Sequence, residues 1–226
     1  MAAAGLSRER RRAPYRRRKP IPAIVIVALL LIAAVVVWIK VIHKADNVDQ
    51  AIACPASTVA GAAGDQTLGY TALDKVTPAA PNQIQYRVYN GSTQRGAANQ
   101  AAIALTGLGF QQATTIADDP LYPQQNMACV GQIRFGSNGQ AAARTLSLVL
   151  PCTQLIKDNR QDSTVDVAIG KKFSTVVPNT DALSALHQLS AYAASHPAQQ
   201  GGQQAQGSSG PVLSQSLLSN AHNSTC

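Results

Sequence analysis

The sequence contains few charged and few aromatic residues. Of its 226 residues, 13% are charged and 4% are aromatic, with one Trp and three Phe. A chain of this length forms one ordinary domain with extensions or two very small domains. So few aromatic side chains disfavour a large enzyme with a deep apolar pocket, and the sequence lacks a P-loop, a dinucleotide-binding glycine pattern and a G-x-S-x-G nucleophile motif. These absences favour a protein that is not an enzyme.

Positive charge is scarce outside the N-terminus. The formal net charge is +8, but residues 1–20 alone hold eight Lys or Arg against one Glu, whereas residues 45–226 hold nine basic and ten acidic side chains. A nearly neutral body lacks the basic surface that nucleic-acid binding requires. We therefore expect no nucleic-acid partner.

A single long apolar run follows the basic residues. Residues 21–39 carry no charge, and 19 residues of helix span about 28 Å, close to the thickness of the bilayer hydrocarbon. Trp38 near the end of the run suits the membrane interface, and Lys40 ends it. The positive-inside rule makes residues 1–20 a basic cytoplasmic tail and puts residues 45–226 outside the inner membrane. A cleaved signal peptide is the alternative, although its apolar run is shorter, about 7–15 residues.

Metal-binding patterns are also missing. The cysteines are Cys54, Cys129, Cys152 and Cys226, none of them in Cys-x-x-Cys spacing, and the four histidines are scattered. We therefore expect no metal site and no cofactor. An even number of cysteines, all in the segment predicted to be external, favours disulfide bonds.

The external segment divides by composition. Residues 40–82 are rich in small residues without a sustained period and are predicted to be a stalk. Residues 83–173 alternate strand and helix patterns and are predicted to be the folded domain. Residues 174–197 have the pattern of an additional helix, and residues 198–226 form a low-complexity tail.

The folded domain shows a β-α-β-β-α-β order. Period-two alternation predicts strands at residues 84–89, 110–117, 129–135 and 165–169, and helical spacing predicts helices at residues 98–108 and 140–150. This order predicts an α+β, ferredoxin-like fold, with an antiparallel sheet and two helices on one face. In that fold the first and third strands lie side by side, parallel, at the centre of the sheet.

Several of these segments also carry a family resemblance. The alternating strand and Asn-Gly turn at residues 84–92, Gly96-Ala97-Ala98, Leu105–Phe110 and Ile133–Gly136 resemble the LytR C-terminal domain family over residues 82–173. That domain often follows a catalytic domain that transfers lipid-linked glycopolymers onto peptidoglycan, and this chain has no counterpart of the catalytic domain. The resemblance therefore implies an accessory or binding role in the cell envelope, without transferase activity.

The predicted topology brings two turns to one edge of the sheet. Both central strands are followed by helices, whose N-termini present unpaired N–H groups that suit phosphate or carboxylate ligands. The alternative is that these residues only form ordinary tight turns. The candidate ligand-binding residues are Asn90, Gly91, Ser92, Thr93 and Arg95 in the first turn, and Arg134, Ser137 and Asn138 around the second.

The same topology selects a disulfide pairing. Four cysteines allow three pairings. Because the helix at residues 140–150 returns to the level where the third strand begins, we expect a Cys129–Cys152 bond, which leaves Cys54 to pair with Cys226.

Three functions remain open for the external domain. The leading expectation is a non-enzymatic, single-pass inner-membrane protein that binds a cell-wall glycopolymer, a lipid intermediate or a wall-assembly partner. The alternatives are a carrier of a small amphipathic or lipid ligand held between sheet and helices, and an accessory subunit of a wall-assembly enzyme.

Overall fold

The computed structural model describes residues 21–196, 211, 213–223 and 226. The predicted tail at residues 1–20 and residues 198–210 of the low-complexity segment lie outside the described residues. The chain divides into two units, Met1–His43 and Lys44–Cys226. Helix α1 (Ile21–Ile52) begins in the first unit, where the described side chains are exposed.

Helix α1 contains the apolar run on which the anchor prediction rests. Among the helical residues that the structure describes, no stretch is both long enough and apolar enough to cross a membrane. The membrane-spanning helix predicted for residues 21–39 is therefore not confirmed.

The second unit has a mixed α+β architecture built on one seven-stranded sheet. The sheet order is β1-β6-β5-β7-β2-β3, and β4 also pairs with β2. The strands are β1 (Gln66–Leu68), β2 (Gln85–Asn90), β3 (Gln111–Gln112), β4 (Ala117–Asp118), β5 (Gly131–Phe135), β6 (Gln154–Lys157) and β7 (Val165–Ile169). The helices are α2 (Ala97–Gly107), α3 (Gln140–Val149), α4 (Thr180–Ser195) and α5 (Gln215–His222).

The sheet does not have the predicted ferredoxin-like order. Strand β7 lies between β2 and β5, parallel to β2 and antiparallel to β5, so β2 and β5 are neither neighbours nor parallel. In addition, β6, which follows α3, pairs in parallel with the other edge of β5. The predicted strand at residues 110–117 forms only two short pieces, β3 and β4, both parallel to β2. The sheet is consequently mixed.

The main core lies between the sheet and two helices, as the alternation of apolar residues predicts. Helix α2 presents Ala98, Ala101, Ala102 and Leu105 to the sheet, and these small side chains allow close packing. From the sheet, Tyr86 is fully buried and donates its hydroxyl hydrogen to the Ala102 carbonyl at 3.0 Å. The rest of this core includes Val88, Ile133, Phe135, Ala143, Leu146, Val165, Val167 and Ile169.

The segment predicted to be a stalk belongs to the domain. Strand β1 pairs antiparallel with β6, and Leu73 is buried in the main core. Ile52 is also buried, with 2% of its surface exposed. The sequence pattern does not reveal these contacts, because β1 has only three residues and Leu73 is the one large aliphatic side chain between Tyr70 and Val76.

Two helices follow the sheet, and only the first was predicted. Helix α4 starts at its N-cap Asn179, whose side chain accepts a hydrogen bond from the Ala182 N–H at 2.8 Å, in agreement with the predicted additional helix. Helix α5 lies within the predicted low-complexity tail. It buries Leu218 and Ala221 against Ala185 and other apolar residues of α3 and α4.

The disulfide pairing also differs from the prediction. The bonds are Cys54–Cys129, with Cα atoms 4.9 Å apart, and Cys152–Cys226, with Cα atoms 5.4 Å apart. Cys129 and Cys152 do lie at the same level of the sheet, since they precede the paired strands β5 and β6. They do not bond to each other. Cys129 belongs to a separate apolar cluster with Tyr122, Met127 and Ala168, and this cluster also receives Cys54.

Candidate functional site

The two predicted turns do not meet. Strands β2 and β5 run in opposite directions through their shared neighbour β7, so their C-terminal ends lie at opposite ends of the sheet. Residues 90–95 are therefore separated from residues 136–139. The predicted ligand site combining both turns is not formed.

The first turn is largely occupied by its own hydrogen bonds. The Asn90 Oδ1 atom accepts hydrogen bonds from the backbone N–H and the hydroxyl of Ser92, both at 3.1 Å. Ser92 is fully buried, and Gly91 packs so closely on Met127 that a Cβ atom would lie 2.9 Å from the Met127 Cε atom. These residues shape the turn, whereas Thr93 and Arg95 are exposed beyond it.

Arg134 is a buried residue of the opposite sheet face. It is 2% exposed, and its two terminal nitrogens donate to the Asp119 carboxylate at 2.8 and 2.6 Å. Its Nε donates to Gln132 at 2.9 Å, and its guanidinium lies 5.7 Å from the centre of the Tyr122 ring. The guanidinium is thus fully engaged inside the protein and is not available to a ligand.

A second ion-pair network continues across this sheet face. The Asp166 carboxylate binds Arg87 Nε and Arg160 Nη2, each at 2.6 Å, and Arg160 also binds Asp158. Burial acts to lower the pKa of Arg160, but its hydrogen bonds to Asp166 and Asp158 outweigh burial and raise the pKa. The network fixes the segment after β6 over the sheet.

The second turn contributes little to any concave surface. Ser137 and Asn138 are exposed in a short 3-10 turn before α3. The Asn138 side-chain amide donates to the Gln161 carbonyl at 2.6 Å, which ties this turn to the segment before β7. Asn138 therefore connects two loops, whereas Ser137 accepts a hydrogen bond from the nearby Gln140 side chain through its carbonyl.

One residue of the predicted site lies in an open groove beside α2. The groove has a volume of about 660 Å³ and contains Arg95, the only one of the candidate residues that lines it. It runs along the first two turns of α2 and is bordered by Phe173 and Ser174, which follow β7. Its lining residues are Gln94, Arg95, Gly96, Ala97, Asn99, Gln100, Ile103, Ala104, Phe173 and Ser174.

A glycine in the left-handed backbone conformation lies in this groove, directly before α2. Gly96, at the N-cap of α2, has a φ of +82°, which a residue with a side chain adopts only with strain. Gly96 offers no side chain to cap the helix, so the first N–H groups of α2 keep the partial positive charge of a helix N-terminus. Arg95 adds a full positive charge beside them.

The groove combines three kinds of contact. Gln94, Asn99 and Gln100 carry amides that both donate and accept hydrogen bonds, Arg95 can form paired hydrogen bonds to a carboxylate or phosphate, and Ile103 is 65% exposed. The amides suit hydroxyl groups of a ligand, Arg95 suits an acidic group, and Ile103 suits an apolar part of its surface. No nucleophile with an adjacent base lies among these residues.

A second polar cluster, which sequence reasoning did not find, joins distant segments. Arg144 of α3 is 1% exposed, and its Nη1 atom lies 2.9 Å from an Asp74 carboxylate oxygen and 3.3 Å from His222 Nδ1. The His222 ring stacks on Tyr70 with centroids 4.0 Å apart, and the Tyr70 hydroxyl donates to the His222 carbonyl. The only sequence signal was a single Arg within the apolar pattern of α3.

The pKa values in this cluster follow from burial and charge. Burial acts to raise the pKa of Asp74, but its interactions with His222 and Arg144 outweigh burial and hold the pKa below its usual value. Burial, together with the charge of Asp74, raises the pKa of Tyr70 to about 12. Within the described part of the chain, no three His, Cys, Asp or Glu residues are grouped so that they could hold a metal ion.

The chain is similar to one known domain family and to two mycobacterial proteins. The family model described as LytR cell envelope-related transcriptional attenuator, LytR_C, matches residues 83–173. The cell envelope integrity protein Cei of Mycobacterium tuberculosis is 41% identical over 181 residues, which is 78% of this chain and 83% of that protein. The crystal structure of the soluble domain of a conserved hypothetical secreted protein from Mycobacterium marinum matches with 36% identity and a TM-score of 0.58, covering 71% of this chain and 97% of that one.

Proposed function

The chain belongs to the family of the cell envelope integrity protein Cei, and we propose that it is a non-enzymatic, membrane-anchored protein that supports the cell envelope by binding an anionic wall glycopolymer. A role in the cell envelope follows from the relationship itself. The polymer-binding activity is the further step, and the groove beside α2 supports it.

The observation that carries the proposal is the position of Arg95. It is exposed in an open groove, next to the N-terminus of α2 and surrounded by amide side chains. Wall glycopolymers carry hydroxyl groups and either carboxylates or phosphates, and these are the groups that amides and a guanidinium bind. An open groove also admits an extended chain, whereas an enclosed pocket admits only a small molecule.

The alternative of a carrier for a lipid or small amphipathic ligand has less support. Such a ligand was expected between the sheet and the helices. That space is filled by the side chains of the main core, among them Tyr86, Leu105, Phe110, Phe135 and Leu146. A ligand there would have to displace closely packed residues.

The binding proposal is tested by retention on wall polymers. The fragment 45–226 and its Arg95→Ala variant would be incubated with purified peptidoglycan, arabinogalactan and membrane lipid fractions in parallel. Because Arg95 supplies one charged hydrogen-bonding group, we expect its loss to weaken binding to an acidic polymer about tenfold, or about 1.4 kcal/mol. Lys75→Ala is the matched control, since Lys75 is also exposed but lies outside the groove.

Three outcomes would contradict the proposal. Equal retention of the Arg95→Ala and Lys75→Ala variants would show that the groove does not bind the polymer. Retention by lipid fractions alone would favour the carrier. If none of the fractions retains the protein and cross-linking in cells captures one dominant wall-assembly enzyme, the function is that of an accessory subunit and not polymer binding.

The anchor is proposed from the sequence of residues 21–39. Its 19 uncharged residues, with the basic residues before them, support a single-pass inner-membrane protein whose N-terminus is cytoplasmic and whose domain is external. Cell fractionation should therefore find the full-length chain in the inner membrane, with its C-terminus accessible to protease from outside. A mature N-terminus located after Lys44 would contradict the anchor.

A further inference from the structure

Helix α5 depends on its neighbours for its structure. It has eight residues, and an isolated helix of this length is not stable in water. In the protein it lies against α3 and α4, where Leu218 and Ala221 pack with Leu148, Ala185 and Leu189. The helix therefore forms because it is docked, and it would unfold if it were released.

Among the described residues just before α5, Leu213 is buried in the same apolar cluster as Leu218. Residues 197–211 consist only of Pro, Ala, Gln, Gly and Ser, so they offer no large apolar side chain for burial. The contacts that keep α5 in place are concentrated at its C-terminal end. There, the Asn179 amide donates to the carbonyls of Asn220 and Ala221, and Tyr70 and Arg144 contact His222.

A disulfide bond closes this end covalently. Cys152 lies in the turn between α3 and β6, and Cys226 follows α5 by four residues. The two disulfides differ in accessibility: Cys226 is exposed and Cys152 is partly exposed, whereas Cys54 is partly exposed and Cys129 is only 1% exposed. Thiol–disulfide exchange requires an attacking thiolate to reach one of the sulfurs, so a reductant reaches Cys152–Cys226 before Cys54–Cys129.

From this arrangement we propose that the Cys152–Cys226 bond is a redox-operated lock on α5, opened by a dithiol reductant. A thiolate of the dithiol attacks the Cys226 sulfur, the bond to Cys152 breaks, and Cys152 leaves as a thiolate that takes up a proton. The second thiol of the dithiol then attacks the mixed disulfide and releases Cys226. The protein gains two thiols, and the dithiol is oxidised to its own disulfide.

Opening the lock changes the surface of the domain. Without the covalent closure, α5 is held by the burial of Leu213, Leu218 and Ala221 and by hydrogen bonds at its C-terminal end. Its release uncovers an apolar groove between α3 and α4 that includes Leu148, Ala182, Ala185 and Leu189. The device therefore couples the redox state of the surroundings to the exposure of a hydrophobic surface.

The order of reduction is the first test. The full-length protein would be treated with limiting dithiothreitol for increasing times, alkylated, and analysed by mass spectrometry. We expect Cys152 and Cys226 to be alkylated first, with at least about tenfold slower modification of Cys54 and Cys129, because attack depends on access to sulfur. Simultaneous modification of all four cysteines, or earlier modification of Cys54 and Cys129, would overturn the proposal.

Hydrogen exchange tests whether opening the bond releases α5. In Cys226→Ser and Cys152→Ser variants of the full-length chain, backbone amides of α5 should exchange at least about tenfold faster than in the oxidised protein, while those of β5 and β7 remain unchanged. Gln215→Ala, an exposed change within α5, serves as the control and should leave exchange as in the parent. Protection of α5 that is equal in all variants would show that the disulfide does not control the helix.

Discussion

Arg134 shows that burial decides the role of a charged side chain. From the sequence, Arg134 was expected to contact a ligand at one edge of the sheet, but its guanidinium is buried with the Asp119 carboxylate. Removing one partner leaves the other charge buried without compensation, which costs about 3–5 kcal/mol. We predict that Arg134→Ala lowers the free energy of unfolding by about this amount, measured by urea denaturation.

The matched control for Arg134 is Arg95. Because Arg95 is exposed, Arg95→Ala should change the free energy of unfolding by no more than about 0.5 kcal/mol. A double variant, Asp119→Leu with Arg134→Met, removes both charges and should recover much of the loss. Equal stability of the Arg134→Ala and Arg95→Ala variants would show that the ion pair contributes nothing to the fold.

Asp74 gives a pH dependence with a defined sign. Its pKa in the folded protein lies below its usual value, so the folded state favours the ionised carboxylate. The resulting stabilisation is fully present above the pKa of the unfolded chain, about 3.9, and is lost as pH falls through the lower folded value. We predict that Asp74→Asn is less stable than the parent at pH 7 and that the difference shrinks towards pH 3.

The measurement for Asp74 is urea denaturation of both proteins across this pH range. Asp162 also has a lowered pKa, through its hydrogen bonds to Thr164, but it is present in both proteins, so its effect cancels in the comparison. A difference that stays constant from pH 7 to pH 3 would contradict a role for the ionised Asp74.

At the level of helices and strands, the sequence predicted the type and position of the elements better than their order in the sheet. The alanine period of α2 and the Asn179 N-cap of α4 are local signals, and both helices form where they were expected. Strand order depends instead on which edges meet after folding. Strand β7 inserts between β2 and β5 and separates the two strands that were expected to pair. Strand β6, with only four residues, two of them apolar, adds a parallel neighbour at the other edge of β5.

The candidate site failed for the same reason. Each predicted turn exists, and Arg95 does line a groove, but the site required β2 and β5 to be parallel neighbours. Helix α5 was missed because Leu217 and Leu218 follow a long run of small and polar residues. Its apolar face becomes meaningful only against α3 and α4.

Close approach between neighbouring strands gives a test of the observed sheet order. A Cβ atom at Gly131 in β5 would overlap the Ala168 carbonyl oxygen of β7, whereas a Cβ atom at Gly107 in α2 would meet nothing within 4 Å. We predict that Gly131→Ala lowers the free energy of unfolding by about 1–3 kcal/mol through overpacking. Gly107→Ala should raise it by about 0.5–1 kcal/mol by favouring the helix.

Both glycine variants are measured by chemical denaturation. In the predicted ferredoxin-like order, the strand that holds Gly131 would lie beside β2. A Gly131→Ala variant that is as stable as the parent would therefore question the pairing of β5 with β7.

The folded molecule is larger than the part that resembles the LytR_C family. The family model matches residues 83–173, but the compact unit is Lys44–Cys226. Outside the matched part, Leu73 fills the main core, β1 covers the edge of β6, and α4 and α5 cover Leu148 of α3. Both disulfides also cross its boundaries, since Cys54 and Cys226 lie outside it.

These contacts predict that residues 83–173 do not fold alone. In that fragment Cys129 and Cys152 lose their partners, an apolar face of α3 becomes exposed, and β6 becomes an unpaired edge. Disulfides that close long loops contribute about 4 kcal/mol each in the chain-entropy model, which is a large share of the about 5–15 kcal/mol that stabilises a typical domain. Thermal unfolding followed by circular dichroism should therefore show a cooperative transition for fragment 44–226 and none for fragment 83–173. A cooperative transition of the shorter fragment within a few degrees of the longer one would show that the flanking segments are additions to a self-sufficient domain, and that its stability comes from the sheet and the two helices α2 and α3.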